Sequence, residues 1–168
     1  MATTIRVPIS ILAPAVSANG GNAFFSVAGL TAQDYGHWEF VKSVQGNLFG
    51  QVAVPHNLNA TPNAKIILSF AANAATGNTV IQIGTARIPA GTSINPGSLT
   101  TETAQTITVP GTAYQRFDVT LPASATLAVT PQADDILLVE IMHNGAAGGE
   151  TLAVNLLLLA AVLVVDLA

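Results

Sequence analysis

The stretch Thr151–Ala168 reads TLAVNLLLLAAVLVVDLA, and every residue between Asn155 and Asp166 is apolar. Such a segment has to be removed from water in a bilayer, in the core of its own domain or in a contact with another subunit. A membrane-spanning helix needs about 20 mostly apolar residues, and the uninterrupted run Leu156–Val165 is about half as long. The run therefore favours a buried segment of a folded domain, and we expect no membrane partner.

The rest of the chain is apolar and poor in charge. Half of its 168 residues are hydrophobic and 8% are charged, whereas a soluble domain carries about 25% charged residues. Because charge keeps freely diffusing monomers apart, this composition favours a protein that works within a larger assembly. The few cationic residues are scattered singly, so we expect no nucleic-acid partner. The N-terminus lacks the pattern of a secretory signal, which predicts synthesis and assembly in a cytoplasm.

Short apolar segments separated by turn residues recur along the chain and predict an all-β fold. Phe117–Leu121 alternates apolar and polar side chains, as a strand does when one of its faces is buried. Turn signals recur about every 8–12 residues, which is typical of a sandwich or barrel. We predict an antiparallel β-sandwich of jelly-roll type with about 8–10 strands. The segments Ala64–Ala71 and Thr79–Ala86 fit either a hairpin or two strands that cross between the sheets.

The N-terminal residues are predicted to form an arm that is separate from the main domain. Residues 5–12 alternate like a strand, but Pro8 cannot donate a backbone hydrogen bond, so this strand lies at a sheet edge or forms an extended arm. A segment rich in Gly, Ala and Asn follows. We therefore divide the chain into an N-terminal arm and linker, residues 1–22, and a jelly-roll domain, residues 23–168, and expect the arm to reach a neighbouring subunit.

Composition alone permits either a helix or a strand for the final apolar run. The run follows a strand across a Gly-rich loop in a β-rich chain, so we predict a strand. A strand that is apolar on both faces needs cover on both, and the second cover would come from copies of the chain around a symmetry axis. The predicted interface residues are Leu156, Leu158, Val162 and Val164.

No catalytic pattern is evident, and we predict a protein that is not an enzyme and needs no cofactor or metal. Asp134 and Asp135, with Glu140 nearby, resemble a weak cation site, but an acidic turn before a strand explains them better. The chain has no glycine-flanked serine elbow and no phosphate-binding loop.

Three histidines, His37, His56 and His143, stand far apart in the sequence without the spacing of zinc ligands. We expect them to be surface or core residues.

The aromatic residues offer one alternative function. Trp38, Tyr35 and Tyr114 could form a platform on which a sugar stacks, although Trp38 alternates with Phe40 and is better explained as a core residue. Aromatic side chains exposed in a loop cleft would favour a binding module. A flat polar tip with a buried Trp38 would favour a purely structural protein.

The order of several segments resembles the jelly-roll virion proteins of tailed bacteriophages. These segments are Trp38–Phe40, Val54–Pro55, Lys65–Leu68, Ala133–Ile141 and Glu150–Leu152 followed by the apolar terminal strand. The resemblance implies a homotrimer located in the virion, where it binds the major capsid protein or another virion protein. It implies the function of a capsid decoration or cement protein, and the alternative is the receptor- or glycan-binding head of a phage tail or fibre.

Overall fold

The computed structural model of the chain describes residues 3–14, 23–30, 33–59, 63–73, 76–94, 97–123 and 126–168, with only the backbone for 12–14, 23–30 and 33–35. These residues form strands and loops, and none of them is helical. The strands are β1 (Thr3–Pro8), β2 (Ser10–Pro14), β3 (Ala23–Leu30), β4 (Gln33–Phe40), β5 (Gln45–Ala53), β6 (Lys65–Ala72), β7 (Gly77–Ile88), β8 (Thr100–Thr101), β9 (Gln105–Val109), β10 (Phe117–Leu121), β11 (Ile136–Asn144) and β12 (Leu156–Leu167).

The strands form two antiparallel sheets that pack as a sandwich. Sheet I has the order β10-β6-β12-β4-β3, and β1 pairs with the second half of β12 beside β4. Sheet II has the order β2-β5-β11-β7-β8, and β9 also pairs with β7. From β4 to β7, and again from β10 to β12, successive strands alternate between the sheets, which is the jelly-roll arrangement. The predicted all-β jelly-roll sandwich is confirmed, with more strands than expected because short edge strands extend both sheets.

The two segments Ala64–Ala71 and Thr79–Ala86 cross between the sheets and do not form a hairpin. The first forms β6 in sheet I and the second forms β7 in sheet II. Their buried side chains, among them Phe70 and Ile81, face each other in the core.

The terminal apolar run is the central strand β12, as predicted, but a bulge divides its two faces. Leu156 and Leu158 point into the core, and the register with β6 then shifts at Leu159. After the shift Leu163 and Val165 point inward instead. One extra residue in a strand reverses which side chains face the core.

Because of the bulge, two of the four predicted interface residues face the core. Leu156 and Leu158 are fully buried in the chain's own core and cannot contact another subunit. Val162 and Val164 lie beyond the bulge on the outer face of sheet I and are half-buried. Their contact with another subunit stays a prediction.

The N-terminal segment is not an extended arm in this structure. β1 pairs with β12 from Thr3 opposite Leu167 to Pro8 opposite Val162, and β2 pairs with β5 in the other sheet. Ile9 joins them, is buried, and donates its N–H to the carbonyl of Ala161. The alternating residues do form strands, as predicted, but these strands belong to the main domain. β1 covers the free edge of the second half of β12, and β2 covers the free edge of β5. The predicted link, residues 15–22, lies outside the described residues.

No helix among the described residues is long and apolar enough to cross a membrane.

Candidate functional site

A cleft of about 270 Å³ lies at one end of the outer face of sheet I. It forms where β4 ends, β6 ends, β12 begins and the β9–β10 connection folds over. We call it the Tyr114 cleft. Its walls and floor are formed by His37, Glu39, Lys42, Asn73, Tyr114, Ala153, Val154, Asn155 and Leu157.

Strand alternation on β4 directs two polar side chains into this cleft. Phe40 is fully buried in the core and pairs with Leu156 of β12. The alternate residues His37 and Glu39 therefore point to the outer face, and Glu39 is opposite Leu157. Leu157 is 5% exposed and forms the apolar floor between them.

Asn155 is the polar residue that interrupts the apolar C-terminal run, and it joins two walls of the cleft. Its Oδ1 accepts the backbone N–H of Lys42 at 3.0 Å. Its Nδ2 donates to Oε1 of Glu39. The side chain thus fixes the Glu39 carboxylate and the turn after β4 at the same time, which prepares the cleft before a ligand enters.

Tyr114 presents its side chain at the rim of the cleft. It is 43% exposed, and its backbone has a φ of 59°. Residues other than glycine are uncommon in this left-handed region, and such conformations cluster at functional sites. The conformation is held by the Tyr114 N–H, which donates to the carbonyl of Ala72 at 2.7 Å, and by the Gln115 N–H, which donates to that of Thr112.

The cleft combines opposite charges with neutral polar groups. Glu39 is an acceptor, Lys42 contributes an ammonium donor, and Asn73 offers both kinds of hydrogen bond. His37 is buried, with Nε2 at 3.9 Å from Oε2 of Glu39. An uncharged ligand that carries both donors and acceptors matches this set, since neither charge stands without its opposite.

The structure places the predicted aromatic residues in different surroundings. Trp38 is half-buried on the inner side of sheet I, where it packs against the hydrophobic core as predicted. Tyr114 is exposed in the cleft. The side chain of Tyr35 lies outside the described residues. Trp38 and Tyr114 therefore do not share the single platform considered from the sequence, and Tyr114 lines the Tyr114 cleft.

The histidines lie at separate positions. His56 is exposed and contacts Oδ2 of Asp134 at 2.7 Å, and this hydrogen bond raises the pKa of His56. His143 is fully buried on β11, where its Nε2 lies 3.4 Å from Oε2 of Glu150. Burial lowers the pKa of His143 more than the nearby Glu150 raises it.

The acidic residues weighed as a cation site make unrelated contacts. Asp135 is buried and accepts a hydrogen bond from Nε of Arg87. Glu140 lies on the outer face of sheet II and accepts from Asn47 at 2.8 Å. Within the described residues, no group of three or more acidic or histidine side chains could hold a metal ion.

Sequence reasoning missed Glu39, Lys42, Asn73 and Asn155 as members of one site. Asn155 did carry a signal, because it is the one polar residue between Leu152 and Val165. The others carried none, since their proximity depends on how β4, β6 and β12 are paired.

Comparisons with known proteins identify no family. No protein-family model matches the chain, and no curated protein matches it. Solved structures with a similar fold include TmCBM61 in complex with β-1,4-galactotriose, at 10% identity and a TM-score of 0.41, with 84% of this chain and 80% of that one covered. They include a family 11 carbohydrate-binding module from Clostridium thermocellum in complex with a mixed-linked tetrasaccharide, at 12% identity and a TM-score of 0.43, with 94% and 95% covered.

A domain of tailspike protein 4 from bacteriophage CBA120 is similar at 5% identity and a TM-score of 0.39, with 96% of this chain and 19% of that one covered. Similarities at these identities and scores carry no argument about ligand or function.

Proposed function

We propose that the chain is a non-enzymatic recognition module that binds a glycan in the Tyr114 cleft. The observation that carries this proposal is the exposed Tyr114 ring beside a carboxylate and an ammonium group in one cleft. A sugar ring has C–H groups on its faces and hydroxyl groups at its edge. It is therefore held by a flat apolar surface together with paired donors and acceptors. Tyr114 provides the surface, Glu39 the acceptor and Lys42 the donor.

The cleft fits a short neutral sugar segment. The carboxylate of Glu39 would repel an acidic sugar, and Asn155 holds that carboxylate in place. Neighbouring hydroxyl groups of a neutral sugar can donate to Glu39 and accept from Lys42 together. The cleft volume of about 270 Å³ lies just below the usual range of ligand sites, roughly 300–1,000 Å³. We therefore expect the cleft to bind a short part of a longer glycan, and to bind it weakly.

Calorimetric titration with a panel of neutral and acidic oligosaccharides tests this proposal. We expect binding within the neutral set, and we expect Tyr114→Ala to raise Kd by about tenfold or more, equivalent to about 1.4 kcal/mol. Tyr114→Phe keeps the ring and should retain most of the affinity. Phe49→Ala, on the outer face of sheet II, is the matched control for loss of an exposed aromatic ring. If no glycan binds, or if Tyr114→Ala binds as well as the unmodified chain, the proposal fails.

A second candidate is a structural virion protein, which decorates a capsid or forms part of a tail. The half-buried apolar side chains on the outer face of sheet I, including Val162 and Val164, support it, because a surface of this kind suits a subunit contact. Mass spectrometry of purified virions from a phage that encodes the chain is the test. A stoichiometric copy number in the particle would support this function, and its absence from purified particles would exclude it.

A further inference from the structure

A second depression, of about 340 Å³, lies on the outer face of sheet I. We call it the arginine pocket, because Arg6 of β1 and Arg116 of the β9–β10 connection both line it. On β12 it is lined by Ala160, which is small and exposed and so leaves room between the longer side chains. None of its lining residues belongs to the Tyr114 cleft, so the two are separate sites.

Two elements of the chain place the arginine pocket beside the Tyr114 cleft. On β12 the cleft ends at Leu157, and the pocket begins at Leu159, which is 38% exposed. Residues two apart in a strand are separated by roughly 7 Å. On the β9–β10 connection Tyr114 lines the cleft, and Arg116, two residues later, lines the pocket. A ligand that extends from the cleft along β12 therefore reaches the pocket.

The arginine pocket carries more positive than negative charge. The carboxylate of Asp118 lies beside it, where it accepts hydrogen bonds from Arg116 at 3.0 and 2.8 Å and from Ser69 at 2.7 Å. The hydrogen bonds from Arg116 and Ser69 lower the pKa of Asp118, and the charge of Arg6 adds to this effect from beyond hydrogen-bond distance. One ionised carboxylate therefore stands beside two guanidinium groups, which leaves an excess of one positive charge.

Both guanidinium groups keep N–H donors for a ligand. Each arginine has five such donors, and Arg116 uses two of them on Asp118. Within the described part of the chain Arg6 donates no hydrogen bond, and it acts on Asp118 only at longer range. A guanidinium group matches the planar geometry of a carboxylate and binds it through two parallel hydrogen bonds. The excess charge and the remaining donors therefore indicate a carboxylate ligand.

Apolar side chains form the other part of the arginine pocket. Ile67 of β6 and Val162 of β12 pair in register and are both half-buried, and Leu159 lies beside them. A small inorganic anion would contact the arginines and leave these side chains uncovered. A carboxylate attached to a ring with C–H groups uses both parts, because its C–H groups gain dispersion contacts with the apolar side chains. An acidic sugar unit has this combination of groups.

We propose that the arginine pocket is a second subsite, which takes a carboxylate-bearing sugar unit adjacent to the neutral unit in the Tyr114 cleft. The proposal rests on the proposed function, the binding of a glycan in that cleft. Glu39 disfavours an acidic unit in the cleft, whereas Arg6 and Arg116 favour it in the pocket, so the charges fix the order of the two units. The ligand class is then a glycan in which acidic and neutral units are neighbours.

Titration with D-glucuronate, followed by NMR, tests the arginine pocket without the cleft. We expect amide shifts at Leu159 and Ala160 and a shift of the Arg6 Nε signal, and no such shifts with D-glucose, the matched neutral sugar. Arg6→Gln should weaken glucuronate binding by about fivefold, as for loss of an exposed ion pair of good geometry. Tyr114→Ala should bind glucuronate as the unmodified chain does. Lys65→Gln, on the same sheet face but outside the pocket, is the matched control and should keep the affinity.

A second titration tests whether the two sites hold one ligand. Its probes are the tightest-binding neutral hexose oligosaccharide of the panel and two forms of it, each with the C6 hydroxymethyl group of one terminal unit oxidised to a carboxylate. We expect one of the two oxidised forms to bind about fivefold more tightly than the neutral parent. Arg6→Gln should remove this gain and leave the affinity for the neutral parent unchanged. The gain should also decrease in about 0.5 M NaCl, because salt screens exposed charges.

The two titrations separate this proposal from the proposed function. If glucuronate causes no shift in the arginine pocket, or if Lys65→Gln loses as much affinity as Arg6→Gln, the pocket is not a carboxylate site. If the neutral parent binds and neither oxidised form gains affinity, the cleft stands and the second subsite is refuted. If glucuronate binds in the pocket and no oligosaccharide binds in the cleft, the proposed function fails, and the link between the two sites fails with it. Circular dichroism confirms that each variant is folded.

Discussion

At the scale of single residues, the Tyr114 cleft depends on side chains that are each held by a specific neighbour. Asn155 fixes Glu39, and the contact from Tyr114 N–H to Ala72 holds the aromatic ring at the rim. These contacts link segments that are far apart in the chain. Their existence could not be predicted from spacing in the sequence, although the position of Asn155 in an apolar run was visible there.

His143 makes the stability of the fold sensitive to pH. Its ring is buried, and Phe40 packs against it with ring centroids 5.6 Å apart. Desolvation lowers the pKa of His143 below its ordinary value of 6.5, although Glu150 acts in the opposite direction. The unfolded chain then binds a proton more readily than the folded chain, so the free energy of unfolding should fall as the pH falls below about 6.5.

Urea unfolding at pH 7.5 and pH 5.5 measures this dependence. We expect lower stability at pH 5.5. The His143→Gln variant should lose most of the difference. His56→Ala should retain or enlarge it, because Asp134 raises the pKa of His56 and this contact favours the folded chain at low pH. Equal pH dependence in the His143→Gln variant would show that other groups cause the effect.

At the scale of elements, β12 shows which features of a strand an apolar sequence can predict and which it cannot. Its length, lack of charge and β context predicted a central strand, and this is confirmed. The bulge at Leu159 could not be predicted, because every residue around it is apolar and the pattern contains no change of polarity to mark it. The assignment of inner and outer faces before the bulge was wrong for that reason.

Two substitutions on β12 test which residues lie on its inner face and which on its outer face. Leu158→Asp places a carboxylate in the core, where Leu158 is 2% exposed, and should prevent stable folding. We expect a loss of more than about 4 kcal/mol, as for other buried charges without partners. Val162→Asp, on the outer face, should remain folded. Circular dichroism and thermal unfolding distinguish the two results. A folded Leu158→Asp variant would contradict the inward orientation of Leu158.

The N-terminal strand is the second element whose role differs from the prediction. β1 covers one edge of β12, and Thr4 Oγ1 donates to Asp166 at 2.7 Å. Deleting residues 1–8 should therefore leave backbone hydrogen-bonding groups of β12 without their β1 partners, expose apolar side chains of β12, and lower the free energy of unfolding by several kcal/mol. Denaturant unfolding of the truncated chain is the measurement. Unchanged stability would restore the interpretation of this segment as a separate arm.

At the scale of the whole molecule, the jelly roll followed from local patterns because each strand carries its own alternation and each turn its own residues. The order of strands within the sheets did not follow, since it depends on long-range pairings such as β12 between β6 and β4. The Tyr114 cleft arises from that order, because its walls come from β4, β6 and β12. The proposed recognition site is therefore a property of the assembled sandwich.

The central claim, that a glycan binds in the Tyr114 cleft, is tested most directly by amide chemical-shift mapping during titration with the tightest-binding neutral oligosaccharide of the panel. We predict that the largest shifts fall on Glu39, Lys42, Asn73, Tyr114 and Asn155, and that Asn47, Phe49 and Glu140 on sheet II stay unchanged. Shifts confined to sheet II, or none at saturating sugar, would contradict it.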